Sequence, residues 1–169
     1  MPDLRVFDSN SDFDHAAAEL FVAAADQATR ARGRFTVALS SGSTPRSMYA
    51  LLASDGAAGQ GNEPSPPYCQ RPQRNYRTAG EALLDRVPIP AENVHRVQAD
   101  DPEATAAATA YEAELRRSFA LGEDELPAFD LVLLGMGPDA HTASLFPGTD
   151  VIHETSLLVA APWVEKFQS

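Results

Sequence analysis

Phe129-Asp130-Leu131-Val132-Leu133-Leu134-Gly135-Met136-Gly137-Pro138-Asp139-Ala140-His141-Thr142-Ala143-Ser144-Leu145-Phe146-Pro147-Gly148 is the stretch whose reading decides the fold. Residues 131–134 form a continuous apolar run, the pattern of a strand buried on both faces of a parallel sheet. Gly135 and Gly137 then allow a sharp turn and leave room for a ligand near the backbone. Asp139, His141, Thr142 and Ser144 follow, where a helix is expected to begin. Open α/β sheets bind their ligands outside the carboxyl ends of such strands. Of the four histidines, His141 alone sits among glycines and small polar residues directly after a strand. A histidine so placed either packs the turn or does chemistry in it.

Working outward, the same alternation of strand and helix recurs. Residues 4–7 read as a short edge strand. A helix is expected from Asp12 to Arg32, with Phe13, Ala16, Ala17, Leu20, Phe21 and Ala24 at helical spacing. Ser11 or Asp12 would cap it, and Gly33 would close it. Residues 35–39 form a β-rich strand, followed at once by Ser40-Ser41-Gly42-Ser43-Thr44-Pro45 and a helix carrying Met48, Leu51 and Leu52. Pro45 suits a first helical position, and the hydroxyls and N–H groups beside it suit either plain capping or an anion. Further on, Tyr76, Ala79, Leu83 and Leu84 lie at helical spacing, and residues 93–97 read as a short strand. His95 on that strand reads as structural or exposed. A helix is expected over residues 102–121, with Ala106, Tyr111, Leu115 and Phe119 on one side and Glu112, Glu114, Arg116 and Arg117 on a solvated face. Ser144-Leu145-Phe146 would start a brief helix, and residues 157–160 another buried strand. This order predicts one α/β domain over residues 1–169, an open, mostly parallel sheet with helices on both faces.

Composition bounds the function. The net charge of −11 opposes a broad nucleic-acid or anionic-membrane surface but permits a small anionic substrate in a locally positive pocket. The single cysteine, Cys69, excludes an internal disulfide and fits a reducing compartment. No signal-peptide pattern or membrane-length apolar run is present, so the expected location is cytoplasmic. No group of residues has metal-ligand spacing. Residues 56–74 break the pattern: Gly56, Gly59, Gly61, Pro64, Pro66, Pro67 and Pro72 cannot build a central strand, and the run reads as an irregular surface loop.

The stretch from Gly135 to Pro147 resembles the 6-phosphogluconolactonase family, whose loop reads Gly-Met-Gly-x-Asp-Gly-His-Thr-Ala-Ser-Leu-Phe-Pro. Ala140 departs from it, standing where the family has glycine; if that position takes a positive φ, the alanine is strained by about 1 kcal/mol or more. Leu39 to Pro45 resembles the family's Leu-Ser-Gly-Gly-Ser-Thr-Pro, with Ser41 in place of the first glycine. Asn75-Tyr76-Arg77 matches its Ser-Asn-Tyr-Arg segment, with Arg74 for serine, and the tail around Lys166 resembles its lysine segment. By this reading the resemblance covers most of residues 1–55 and 75–168. It lacks the family's Gly-Asp-Glu-Arg motif within residues 56–74 and the closing elements beyond Ser169.

The resemblance implies a Rossmann-like fold shared with the glucosamine-6-phosphate isomerase and deaminase group. It implies hydrolysis of 6-phospho-D-glucono-1,5-lactone to 6-phospho-D-gluconate in the oxidative branch of the pentose phosphate pathway, without cofactor or metal. His141 would be the general base, held by Asp139, since a neutral histidine suits activation of water near pH 7. Backbone N–H groups around Gly42 to Thr44, or around Gly137, would receive the oxyanion. Gly42, Ser43 and Thr44 would contact the substrate, and Arg77 and Lys166 would offset the phosphate charge, with Arg46 a weaker candidate. The absent motif and closing elements favour an alternative, a catalytically impaired relative that at most binds sugar phosphates. The related isomerase or deaminase activity is disfavoured by the His-Thr-Ala-Ser-Leu-Phe-Pro string. Oligomeric state does not follow from the sequence.

Overall fold

The computed structural model describes residues 3–40, 42–55, 75–137 and 140–162. The irregular run at 56–74 therefore lies outside the described residues. Two compact units emerge: residues 1–90 with 129–133, and residues 91–128 with 134–169.

The first unit is built on three helices and a strand pair. Helix α1 (Asn10–Arg32) starts two residues earlier than its apolar spacing indicates, because Ser9 caps it. The Ser9 hydroxyl accepts from the Asp12 N–H at 3.1 Å and donates to the Asp12 carboxylate at 2.8 Å, satisfying one of the donors that a helix start leaves open. Phe7 packs edge-on against Phe13 just inside the helix, fixing the entry of the chain. Gly33 ends the helix at φ 73°, as expected of a left-handed closing residue.

Strand β1 (Val37–Ala38) pairs in parallel with β2 (Leu131–Val132), with Val37 opposite Leu131 and Ala38 opposite Val132. The parallel pairing of the organising stretch with the strand before the Ser-Gly-Ser-Thr loop is the relation the α/β order requires. Asp130 fixes the register. Its carboxylate accepts from the Thr36 N–H at 2.8 Å and hydroxyl at 2.9 Å, and pairs with Arg32 at the end of α1. Those backbone and hydroxyl donors of Thr36, assisted by Arg32, hold its pKa below the ordinary carboxylate range against the opposing effect of burial.

Helix α2 (Ser43–Asp55) packs on α1, and α3 (Asn75–Ala82) on α2. Their shared core is Ala18, Met48, Tyr49, Ala53, Ala79, Ala82 and Leu83, with Leu39, Leu133 and Phe21 packed against it. Small residues dominate where helices meet, so the backbones approach closely and Tyr49, with no exposed surface, fills the centre.

In the second unit α4 (Ala104–Phe119) is shorter than expected and buries Ala107, Ala108 and Leu115; Ala106 is exposed. The expected solvated face is instead a row of tethers. Glu112 holds Arg116 at 2.9 Å and accepts the Leu158 N–H at 3.1 Å. Glu114 takes His95 Nδ1 at 2.6 Å and the Ser118 hydroxyl at 3.0 Å, and also pairs with Arg117.

These tethers account for two corrections. Residues 93–97 and 157–160, expected as strands, are not: Asn93 ends a short helical turn (Ala91–Asn93), and His95 and the Leu158 N–H are engaged by α4 side chains rather than by a ladder. Residues 4–7 are also not a strand; Leu4 and Val6 are 85% and 84% exposed, without the burial an edge strand needs on one face. Nor is the run 131–134 buried on both faces. Leu131 and Leu133 are half-buried while Val132 and Leu134 are exposed, the period-2 alternation of a strand covered on one side. Among the described residues no helix is long and apolar enough to cross a membrane.

Candidate functional site

Of the residues assigned roles from the sequence, Gly42, Ser43, Thr44 and Arg77 lie in the first unit. Gly137 and His141 lie in the second, while Asp139 and Lys166 fall outside the described residues.

In the first unit, β1 runs toward Gly42, which takes φ 129°, a conformation that L side chains rarely adopt. Ser43 and Thr44 open α2 and are exposed. An α-helix leaves its first N–H groups without intrahelical acceptors, the kind of donor that suits a cap or an anion. Tyr49, whose importance the sequence did not signal, anchors the approach to this turn. Its buried phenol donates to the Ser40 carbonyl at 2.9 Å and accepts from the Ser40 N–H at 3.2 Å. Burial pushes the phenol pKa up, with the Ser40 bonds pulling the other way.

Arg77, in the first turn of α3, is half-buried, and its Nε donates to Glu81 at 2.7 Å. The second oxygen of Glu81 lies 3.8 Å from Arg46 Nη2 in the first turn of α2. The structure thus joins two arginines that the sequence named separately, through a carboxylate it did not name. Glu81 stands four residues after Arg77, a spacing that places side chains on one helix face, and that was the available signal.

In the second unit, His141 sits on a tight hairpin. The Gly137 N–H donates to the His141 carbonyl at 2.8 Å, and the Ala140 N–H to the Gly137 carbonyl at 3.0 Å. The Thr142 hydroxyl reaches back to the Gly135 carbonyl at 3.0 Å, and the Leu145 N–H closes a second turn on the Thr142 carbonyl at 3.0 Å. Ala140 and Ala143 take φ 63° and 52°. This double turn replaces the brief helix expected from Ser144. The half-buried imidazole lies against Phe146, ring centroids 4.3 Å apart and planes tilted by 36°. The backbone bonds place His141 within the double turn, and the Phe146 face packs against its ring. Among the described residues no group of histidine, cysteine and carboxylate side chains is arranged to hold a metal ion.

Comparison with known proteins adds the relationship. The profile of the family described as glucosamine-6-phosphate isomerases/6-phosphogluconolactonase matches residues 8–65 and 67–167. The match runs through nearly all of residues 56–74, which the reading by motif had set outside the resemblance. The chain is 41% identical over 149 residues to a 6-phosphogluconolactonase of Nostoc sp., covering 83% of this chain and 61% of that protein. It is 42% identical over 129 residues to one of Synechocystis sp., covering 72% of this chain and 52% of that protein. The chain thus spans half to three fifths of the length of these curated relatives. Among solved structures, a 6-phosphogluconolactonase from Trypanosoma cruzi superposes with a TM-score of 0.77 at 27% identity, over 93% of this chain and 67% of that one. By the extent of these matches, the chain belongs to the glucosamine-6-phosphate isomerase/6-phosphogluconolactonase family.

Proposed function

We propose that this chain carries the chemistry of a 6-phosphogluconolactonase, hydrolysis of 6-phospho-D-glucono-1,5-lactone to 6-phospho-D-gluconate in the oxidative branch of the pentose phosphate pathway. The names of its relatives support the substrate class. The observation that carries the reading for this chain is the imidazole of His141, set on the double turn after β2 and packed against Phe146.

In this reaction His141 takes a proton from water as the water oxygen attacks the lactone carbonyl. The tetrahedral intermediate then collapses, the ring C–O bond breaks, and the proton is returned to the leaving alkoxide. Asp139 orients His141. N–H groups at residues 42–44 stabilise the oxyanion where charge develops. Ser43, Thr44, Arg77 and Lys166 bind the hydroxyl and phosphate groups, the latter carrying about −1.5 to −2 charges near pH 7. Gly137 lets the backbone turn close to the reacting group. Neither step changes an oxidation state. The single cysteine supports a cytoplasmic setting, and the net charge of −11 supports a small-molecule rather than a nucleic-acid partner.

The test is turnover of the phosphorylated lactone against glucono-1,5-lactone, each corrected for spontaneous hydrolysis. The reading predicts acceleration of the phosphorylated substrate with a kcat/KM at least about tenfold above that of its unphosphorylated analogue, the contribution of a charge-assisted contact. No acceleration over the spontaneous rate, or no preference for the phosphate, would contradict it.

A further inference from the structure

We infer that Glu81 is a positioning residue that sets the chain's selectivity for a phosphorylated ligand by holding Arg77 in place beside Arg46; this rests on the reading of Arg77 as a phosphate ligand. Three observations carry it. First, α2 and α3 both open with an arginine in the first turn and no acidic residue there. A helix start is a positive pole, where cations are disfavoured and anions favoured. Two helices of one unit with the same unfavourable placement form a locally positive region in a chain whose net charge is −11. Second, both arginines converge on one carboxylate. Glu81 Oε1 is 2.7 Å from Arg77 Nε, and Glu81 Oε2 is 3.8 Å from Arg46 Nη2. Among the described residues, the ion pairs of these two guanidinium groups go to this one carboxylate, which leaves one positive charge in excess.

The third observation is which nitrogen Glu81 takes. Arg77 is held through Nε. A guanidinium is a rigid planar fork, so fixing Nε also fixes the plane in which its two terminal NH2 groups lie. Those terminal groups carry four of the five donors, the set that meets a phosphate bidentately. A solvent-exposed arginine without such a hold would have to be ordered by the ligand, at a cost in side-chain entropy. Glu81 lowers that cost before binding. Its distance from Arg46, longer than a hydrogen bond, keeps the second cation nearby without taking up its donors.

The experiment uses the full chain, with 6-phospho-D-gluconate and D-gluconate as probes and NMR as the readout. It follows affinity together with the Arg77 Nε–H resonance, in the wild type, Glu81→Gln, Arg77→Ala and the double variant. The wild type should prefer the phosphorylated ligand and show a protected Arg77 Nε–H. Glu81→Gln should weaken 6-phosphogluconate binding roughly three- to tenfold, one charge-assisted bond discounted for exposure, and expose the Arg77 Nε–H to exchange. In the Arg77→Ala background, adding Glu81→Gln should change affinity by less than about twofold, because the residue acts through Arg77. A backbone spectrum of each variant separates loss of fold from loss of positioning, and Glu81→Asp, which retains the charge, should recover part of the affinity if Gln disturbs the helix. Unchanged or tighter 6-phosphogluconate binding by folded Glu81→Gln would overturn the inference, as would an equal loss in the Arg77→Ala background. A wild-type chain that binds both ligands alike would instead count against the phosphorylated-sugar reading, and the inference would fall with it.

Discussion

Ala140 takes φ 63°, in the left-handed region where an L side chain crowds the following carbonyl. The family loop has glycine there, so the conditional strain stated from the sequence becomes a strained position in the structure. Left-handed geometry costs alanine about 1–2 kcal/mol, while glycine loses about 0.4–1 kcal/mol through the greater freedom of its unfolded chain. Ala140→Gly should therefore stabilise the protein by roughly 0.5–1 kcal/mol in urea unfolding. A loss of stability would mean that the turn is not left-handed at this residue. Ala143 takes φ 52° with no glycine in the family string to announce it, and the second turn was accordingly misread as a helix start. Phe146 was equally invisible as a support for His141, because its contact with the imidazole arises only once the chain reverses at Ala143.

At the scale of elements, the helices α1 to α4 and the β1–β2 pair were legible, whereas three further strands were not borne out. The 3.6-residue spacing, Gly33 and the polar residues near its start located α1 to within two residues, and Pro45, the third residue of α2, placed that helix's start to within two residues as well. Apolar runs at 4–7, 93–97 and 157–160 satisfied the β pattern but lack ladder partners among the described residues, and a strand exists only with its neighbour. In two of the three, α4 side chains engage the segment instead, Tyr111 at the His95 carbonyl, Glu114 at the His95 ring and Glu112 at the Leu158 N–H, a long-range relation that no local pattern contains. Tyr49 is the comparable case in α2. Removing its hydroxyl by Tyr49→Phe leaves the Ser40 N–H and carbonyl without that partner, at a cost of roughly 1–3 kcal/mol. Thermal unfolding measures this cost, and amide exchange at Ser40 should accelerate with it. A variant as stable as the wild type, with Ser40 still protected, would show that the phenol bond does not secure the approach to the Ser43–Asp55 helix.

On the scale of the whole molecule, the family relationship was readable from two short motifs, whereas its extent was not. The match continues through nearly all of residues 56–74, where glycines and prolines hide a relationship that a string of motif residues cannot reveal. The charge balance pointed to a small substrate with local cations, but the pairing of Arg46 and Arg77 through Glu81 required two helices to be brought together. The central claim is that His141 carries the chemical step of lactone hydrolysis. It is tested most directly by the rate of 6-phospho-D-glucono-1,5-lactone hydrolysis above the spontaneous rate, compared between the wild-type chain and His141→Ala. The account predicts a fall in kcat of roughly 10²–10⁴-fold with KM changed little, the loss of a general base rather than of binding. A folded His141→Ala variant with near-normal kcat would contradict it.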